Sequence, residues 1–170
     1  STGGFSDCAI QNGIKKVYAI DVGTNQFDKN LRLNNKINLY ENTDFRSVDN
    51  SIINDANIAS IDVSFISVTK LTNKLKELTN LKEIICLIKP QFECGKETSD
   101  KYKGVPLNKE VHESVIKNVI KSFKENNYYI NNITSSPIKG GNGNIEYLAY
   151  FTKNNESKID IQKIINEAFK

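Results

Sequence analysis

The sequence predicts an α/β fold: a mostly parallel sheet covered by helices on both faces, with an antiparallel strand pair at its C-terminal edge. Three observations predict it. Short β-branched runs alternate with longer amphipathic stretches, as in sheets whose parallel strands are joined by helical crossovers. The apolar run Ile84–Ile88 is of strand length and apolar throughout, so it reads as a buried central strand. Residues 135–144, between the last two strands, are too few for a crossover helix, so those strands must run antiparallel.

The elements follow in order. A helix is predicted over 5–12; it follows Gly3-Gly4 and stops at Gly13, a residue suited to the left-handed turn after a helix. Residues 15–21 (KKVYAID) read as the first strand, 37–40 as a weaker second and 58–65 (IASIDVSF) as a third with an acid in its apolar run. Val68, Leu71, Leu75 and Leu78 fall at helical spacing and predict a helix over 67–79. Residues 83–89 (EIICLIK) form the fourth strand. The polar, Lys-rich stretch 93–105 reads as a surface loop. The longest helix is predicted over 107–126, started by Pro106 or Asn108, with Val111, Val115, Ile116, Val119, Ile120 and Phe123 on one face. Strands over 128–134 and 145–152 flank a loop at 136–144 (SPIKGGNGN), and a helix over 159–169 ends the pattern.

Composition bounds the function classes. The 170 residues are 38% hydrophobic and 25% charged, which fits one globular domain and argues against a disordered chain. No apolar run approaches the ~20 residues of a membrane-spanning helix. The net charge of +3 is compatible with a polyanionic partner without proving one. Three scattered cysteines, Cys8, Cys86 and Cys94, offer neither a disulfide framework nor a CxxC metal pair, so a cytoplasmic setting is expected. The single histidine, His112, cannot anchor a multi-histidine metal site and reads as a surface or packing residue. The chain has no Met and opens on Ser-Thr-Gly-Gly, so it is expected to be a fragment lacking an upstream strand, with activity belonging to the parent protein.

In doubly wound sheets, ligands sit at the carboxyl ends of the strands. Gly3 and Gly4 precede a helix, where backbone N–H groups can approach a ligand; the same pair is also an ordinary turn. Asp21 ends the first strand, where a carboxylate can bind both hydroxyls of a ribose or simply form a turn. Asp44 follows the second strand and is by itself a turn residue. Asp62, Lys89 and Glu146 each place a charge inside or at the end of an apolar run. Buried charges come paired, so these three are expected to form one cluster. Lys96, Lys101, Lys103 and Lys139 form a solvated surface, or a phosphate-binding rim if they flank that cluster.

STGGFSDC, NGIKKVYAIDVG, IDVSFIS, LIKPQFECGKE and SPIKGGNGNIEYL resemble, in order and spacing, the hemolysin A (TlyA) group of FtsJ-like ribosomal RNA 2′-O-methyltransferases. The resemblance runs from Ser1 to about Tyr150. It implies a Rossmann-like domain over residues 1–170, S-adenosylmethionine as methyl donor, and ribosomal RNA or ribosomal subunits as partner, with no membrane. The family's small S4-type RNA-binding domain is not in this chain. By the same resemblance the glycine loop is residues 1–5, with Gly3, Gly4 and Phe5 at the donor. The ribose acid is Asp21, followed by Val22, and the adenine-side acid is Asp44, beside Phe45. Asp62, Lys89 and Glu146 match the last three members of a Lys-Asp-Lys-Glu tetrad whose first Lys lies upstream. Lys89 is then the base, Asp62 its orienter and Glu146 a second holder of the lysines.

Two other readings use the same features. A nicotinamide-dependent oxidoreductase also wants glycines, a helix and an acid, but Phe5, Ser6 and Asp7 follow Gly3-Gly4 and no G-x-G-x-x-G is present. A membrane-active cytolysin needs a lipid-inserting amphipathic segment, whereas the helix over 107–126 has a face suited to packing on a sheet.

Overall fold

The computed structural model describes residues 2–170; the first residue of the glycine motif, Ser1, lies outside them. The chain divides into two compact units, Ser1–Asp55 and Ala56–Lys170.

The first unit holds α1 (Gly4–Gln11), β1 (Val17–Ile20), α2 (Lys29–Arg32), β2 (Ile37–Tyr40) and α3 (Asn50–Ile53). The two strands pair in parallel, Val17 with Ile37 through Ile20 with Tyr40. Gly3 precedes α1 with φ +99°, a conformation L side chains avoid. A Cβ there would also lie 2.8 Å from both Leu31 Cδ1 and Phe27 Cε2, so backbone geometry and space both require glycine. Asp28 caps α2 by accepting from the Asn30 and Leu31 amides at 2.7 and 3.2 Å.

The second unit holds β3 (Ile58–Ile61), α4 (Thr72–Glu77), β4 (Glu83–Ile88), α5 (Pro90–Glu93), α6 (Lys96–Lys101), α7 (Lys109–Glu125), β5 (Tyr129–Ser135), β6 (Tyr147–Thr152) and α8 (Ile161–Ala168). Its sheet runs β3-β4-β6-β5. β3 and β4 are parallel, with Ile61 opposite Cys86. β6 is antiparallel to β4, Ile88 opposite Tyr147, and antiparallel to β5. Ile84, Cys86 and Ile88 of β4 are fully buried. Val115, Ile116, Val119 and Phe123 bury one face of α7, and the Phe123 ring stacks on Phe151 of β6 at 4.1 Å. Burying one such side chain contributes about 1.5–3 kcal/mol.

Three expectations change. Among the described residues, two strand pairings are parallel and two antiparallel, because β6 sits between β4 and β5 and runs against both. The third strand ends at Ile61 instead of residue 65: the chain leaves the sheet at Asp62 and passes through Phe65 at φ +63°. The stretch 93–105 is not all loop; after Gly95, at φ +81°, it winds into α6, whose all-polar sequence carries no apolar periodicity to announce it.

Candidate functional site at one end of the second sheet

Parallel pairing brings the carboxyl ends of β3 and β4 to one end of the sheet, and antiparallel pairing brings the start of β6 to the same end. Asp62 follows β3 by one residue, Lys89 follows β4 by one, and Glu146 precedes β6 by one. Extending the Ile88–Tyr147 register by one step sets Lys89 opposite Glu146. Lys89 Nζ lies 2.5 Å from Asp62 Oδ1 and donates to Ser64 Oγ at 3.1 Å. These two partners aim the ammonium group, because a lysine has three N–H directions and two are now fixed.

The three expected residues are thus gathered, but differently from expectation. Asp62 is not buried: its side chain is 33% exposed against 12% for Lys89, because the strand stops before it. Glu146 is the buried member at 7% exposure, and among the described residues no ion pair joins it to Lys89. Its Oε1 accepts from Gln91 Nε2 at 2.9 Å. Gly140 packs close to the same oxygen; a Cβ there would fall on Oε1 and lie 2.7 Å from Cδ.

Sequence reasoning missed Gln91 and Glu93, both on α5. Lys89-Pro90 was the available signal, since proline favours the first helical position and here opens a single turn. Glu93 accepts from Ser67 Oγ at 2.6 Å and from the Val68 amide at 2.7 Å, tying α5 to the loop that carries Asp62 and Ser64. Burial pushes its pKa above the usual carboxylate range, against the pull of these two hydrogen bonds. Phe65 was missed too. It is 92% exposed, its ring lies 4.9 Å from that of Phe92, and its positive φ is rare for an aromatic residue.

Of the two readings of His112, surface or packing, the packing one holds. The side chain is buried, and burial pushes its pKa below the usual histidine value. Its Nε2 lies 2.6 Å from the Pro106 carbonyl, which can only accept, so Nε2 carries the proton. Nδ1 then accepts from the Tyr147 hydroxyl at 2.7 Å, which moors the entry to α7 beside Glu146. Asn144 similarly donates to the Gly104 carbonyl at 3.0 Å and joins the two polar loops. Lys96, Lys101, Lys103 and Lys139 are all exposed. Cys86 is core, and burial raises its thiol pKa far from reactive values.

The expected donor residues lie in the first unit. Gly3, Gly4 and Phe5 open α1, and Asp21 and the exposed Val22 follow β1. Asp21 Oδ1 accepts from the Gly23 amide at 2.7 Å. Asp44 caps the 3₁₀ turn Phe45–Ser47 and is gripped by the Arg46 guanidinium, whose hydrogen bonds hold its pKa down at about 2. Glu41, which the sequence did not single out, follows β2 and pairs with both terminal nitrogens of Arg32.

The FtsJ-like methyltransferase family model matches residues 1–153. The chain is 43% identical over 155 residues to the protein named Hemolysin A from Brachyspira hyodysenteriae, covering 89% of this chain and 64% of that one. It is 40% identical over 154 residues to the 23S rRNA (cytidine-2′-O)-methyltransferase TlyA of Campylobacter jejuni, covering 91% of this chain and 60% of that protein. It therefore spans about three fifths of the length of these relatives. A crystal structure of a Lactococcus lactis protein described as a hemolysin superposes with a TM-score of 0.92 at 35% identity, covering 100% of this chain and 84% of that one. No helix among the described residues is long and apolar enough to cross a membrane.

Proposed function

The chain belongs to the FtsJ-like methyltransferases, within their hemolysin A/TlyA rRNA 2′-O-methyltransferase family, and on that premise we propose that it transfers a methyl group from S-adenosylmethionine to a ribose 2′-OH of ribosomal RNA. One observation carries the reading beyond the family: the Lys89–Asp62 pair, held at the ends of adjacent parallel strands with Glu146 entering from the third. The names of the relatives point to a cytidine as the modified nucleotide. The domain is then a Rossmann-like methyltransferase domain.

The residues of the first unit fit the donor chemically. Gly3 adopts a conformation open to glycine and lacks the side chain that would crowd the start of α1; Asp21 stands at a strand end, where a ribose acid belongs. Gly3, Gly4, Phe5, Asp21, Val22, Asp44 and Phe45 would hold it. Asp44 contributes as the cap that shapes the Phe45 turn, since its carboxylate is taken by Arg46. When bound, S-adenosylmethionine supplies a methyl group already activated on a sulfonium.

What remains is a nucleophile. A ribose 2′-OH is a very weak acid, so its proton must leave as the new C–O bond forms. Lys89, once it has released its own proton, accepts that proton at Nζ. Asp62 and Ser64 fix the direction of Nζ, and Asp62 faces the ammonium that results. Glu146 supplies a second anion across the strand register. The exposed ring of Phe65, in the loop that carries Asp62 and Ser64, offers a face on which a base can stack. Exposed Lys96, Lys101, Lys103 and Lys139 suit the phosphate backbone. The test is labelled-methyl transfer to unmodified ribosomal subunits, followed by mapping of the modified sugar. Label on a ribose 2′-oxygen is expected; label on a base or on protein refutes the reading.

A further inference from the structure

We infer that Gln91 is a positioning residue of this site, holding the Glu146 carboxylate in place from the turn that begins at Lys89; the inference rests on the methyltransferase reading above. Gln91 is 8% exposed and Glu146 7%, so their 2.9 Å hydrogen bond is made out of water. An ionised carboxylate only accepts, so the amide must present Nε2 to it. That orientation leaves Gln91 Oε1 buried with no hydrogen-bond partner. A buried carbonyl without a partner is destabilising, and an apolar side chain of the same length would avoid the cost. Glutamine thus accepts a cost at its carbonyl, and the hold on Glu146 is what its N–H provides.

The frame around Gln91 makes the hold directional. Pro90 fixes the start of α5 and Glu93 fixes its end, through Ser67 and the Val68 amide. Gly140 lies against the same carboxylate oxygen, Oε1, with no room for even a methyl group unless the carboxylate moves. Glu146 Oε1 thus meets both a donor and a close backbone neighbour, and the donor sits two residues from Lys89.

The test is Gln91→Met, close in shape but without the donor, assayed for methyl transfer under steady state alongside thermal melting. The melting temperature is expected to fall by no more than a few degrees, because Glu146 loses its buried donor while the unpartnered Gln91 carbonyl is removed as well. The kcat is expected to fall about ten- to hundredfold, the loss of one hydrogen bond to a charged group, with both KM values within about twofold of wild type. Gln91→Glu, which sets a second carboxylate against Glu146 at similar volume, is expected to lose at least as much. A Gln91→Met protein with wild-type kcat, one that loses activity through KM alone, or one that fails to fold each overturns the assignment. An inactive wild type overturns the methyltransferase reading and the assignment with it.

Discussion

Gly140→Ala probes the site through one methyl group placed outside it. Gly140 has φ −70° and ψ −176°, ordinary extended values, so alanine suffers no backbone strain there. Its Cβ would fall on Glu146 Oε1 and lie 2.7 Å from Cδ and 3.3 Å from Oε2. A carboxylate is usually free to swing aside. This one is buried and held by Gln91, so moving it breaks a charge-assisted hydrogen bond in a closed space. Overpacking of this kind costs about 1–3 kcal/mol. At ~2–4 °C per kcal/mol for a domain of this size, the melting temperature should drop by several degrees. The kcat for methyl transfer should fall about tenfold or more, since Glu146 is displaced before any substrate arrives. The neighbour provides the control: a Cβ at Gly141 meets nothing within 4 Å, and Gly141→Ala should melt and turn over as wild type. Calorimetry and a labelled-methyl assay on the two variants decide the matter. If Gly140→Ala matches Gly141→Ala in both, Glu146 is not confined as described.

Three further expectations follow from the same region. Burial raises the pKa of Glu93, so between about pH 4.5 and that raised value the folded chain holds more protons than the unfolded one, and stability falls as pH rises through this window. Chemical denaturation against pH should show that slope, and Glu93→Gln should abolish it at little cost near neutrality, whereas Glu93→Ala, which strands the Val68 amide, should cost about 1–3 kcal/mol. The depressed pKa of His112 has the opposite sign: its contribution is complete above about pH 6.5 and is lost as pH falls, so His112→Gln should flatten the acid side of the stability profile there. Phe65→Gly relieves a positive φ and should stabilise the fold by up to about 1 kcal/mol while raising the KM for RNA; an unchanged KM would remove the ring from substrate binding.

Most of the strands were legible in the sequence because they are apolar and β-branched, although they form a two-stranded and a four-stranded sheet among the described residues where one sheet was expected. Ile37–Tyr40 falls where periodicity puts it, and Glu83–Ile88 differs by one residue. The long helix was legible because Val115, Ile116, Val119 and Phe123 share one face. The site was legible as three charges in apolar surroundings, although that logic holds for Glu146 and Lys89 and fails for Asp62, which stands outside its strand. The rest was hidden for a physical reason. Gln91 and Glu93 act through a four-residue helix fixed by tertiary hydrogen bonds, which leaves no periodicity to read. His112 was open between surface and packing, and packing holds because Tyr147 and the Pro106 carbonyl complete its hydrogen bonds.

The most direct test of the proposed chemistry is Lys89→Ala, measured twice on the same preparation, once for S-adenosylmethionine binding by calorimetry and once for methyl transfer to unmodified ribosomal subunits. Binding close to wild type with transfer reduced by at least about a hundredfold is the expected pair of results, because general-base removal typically costs 10²–10⁴-fold in rate. Transfer near the wild-type rate would contradict the account and take the proton-accepting role away from Lys89.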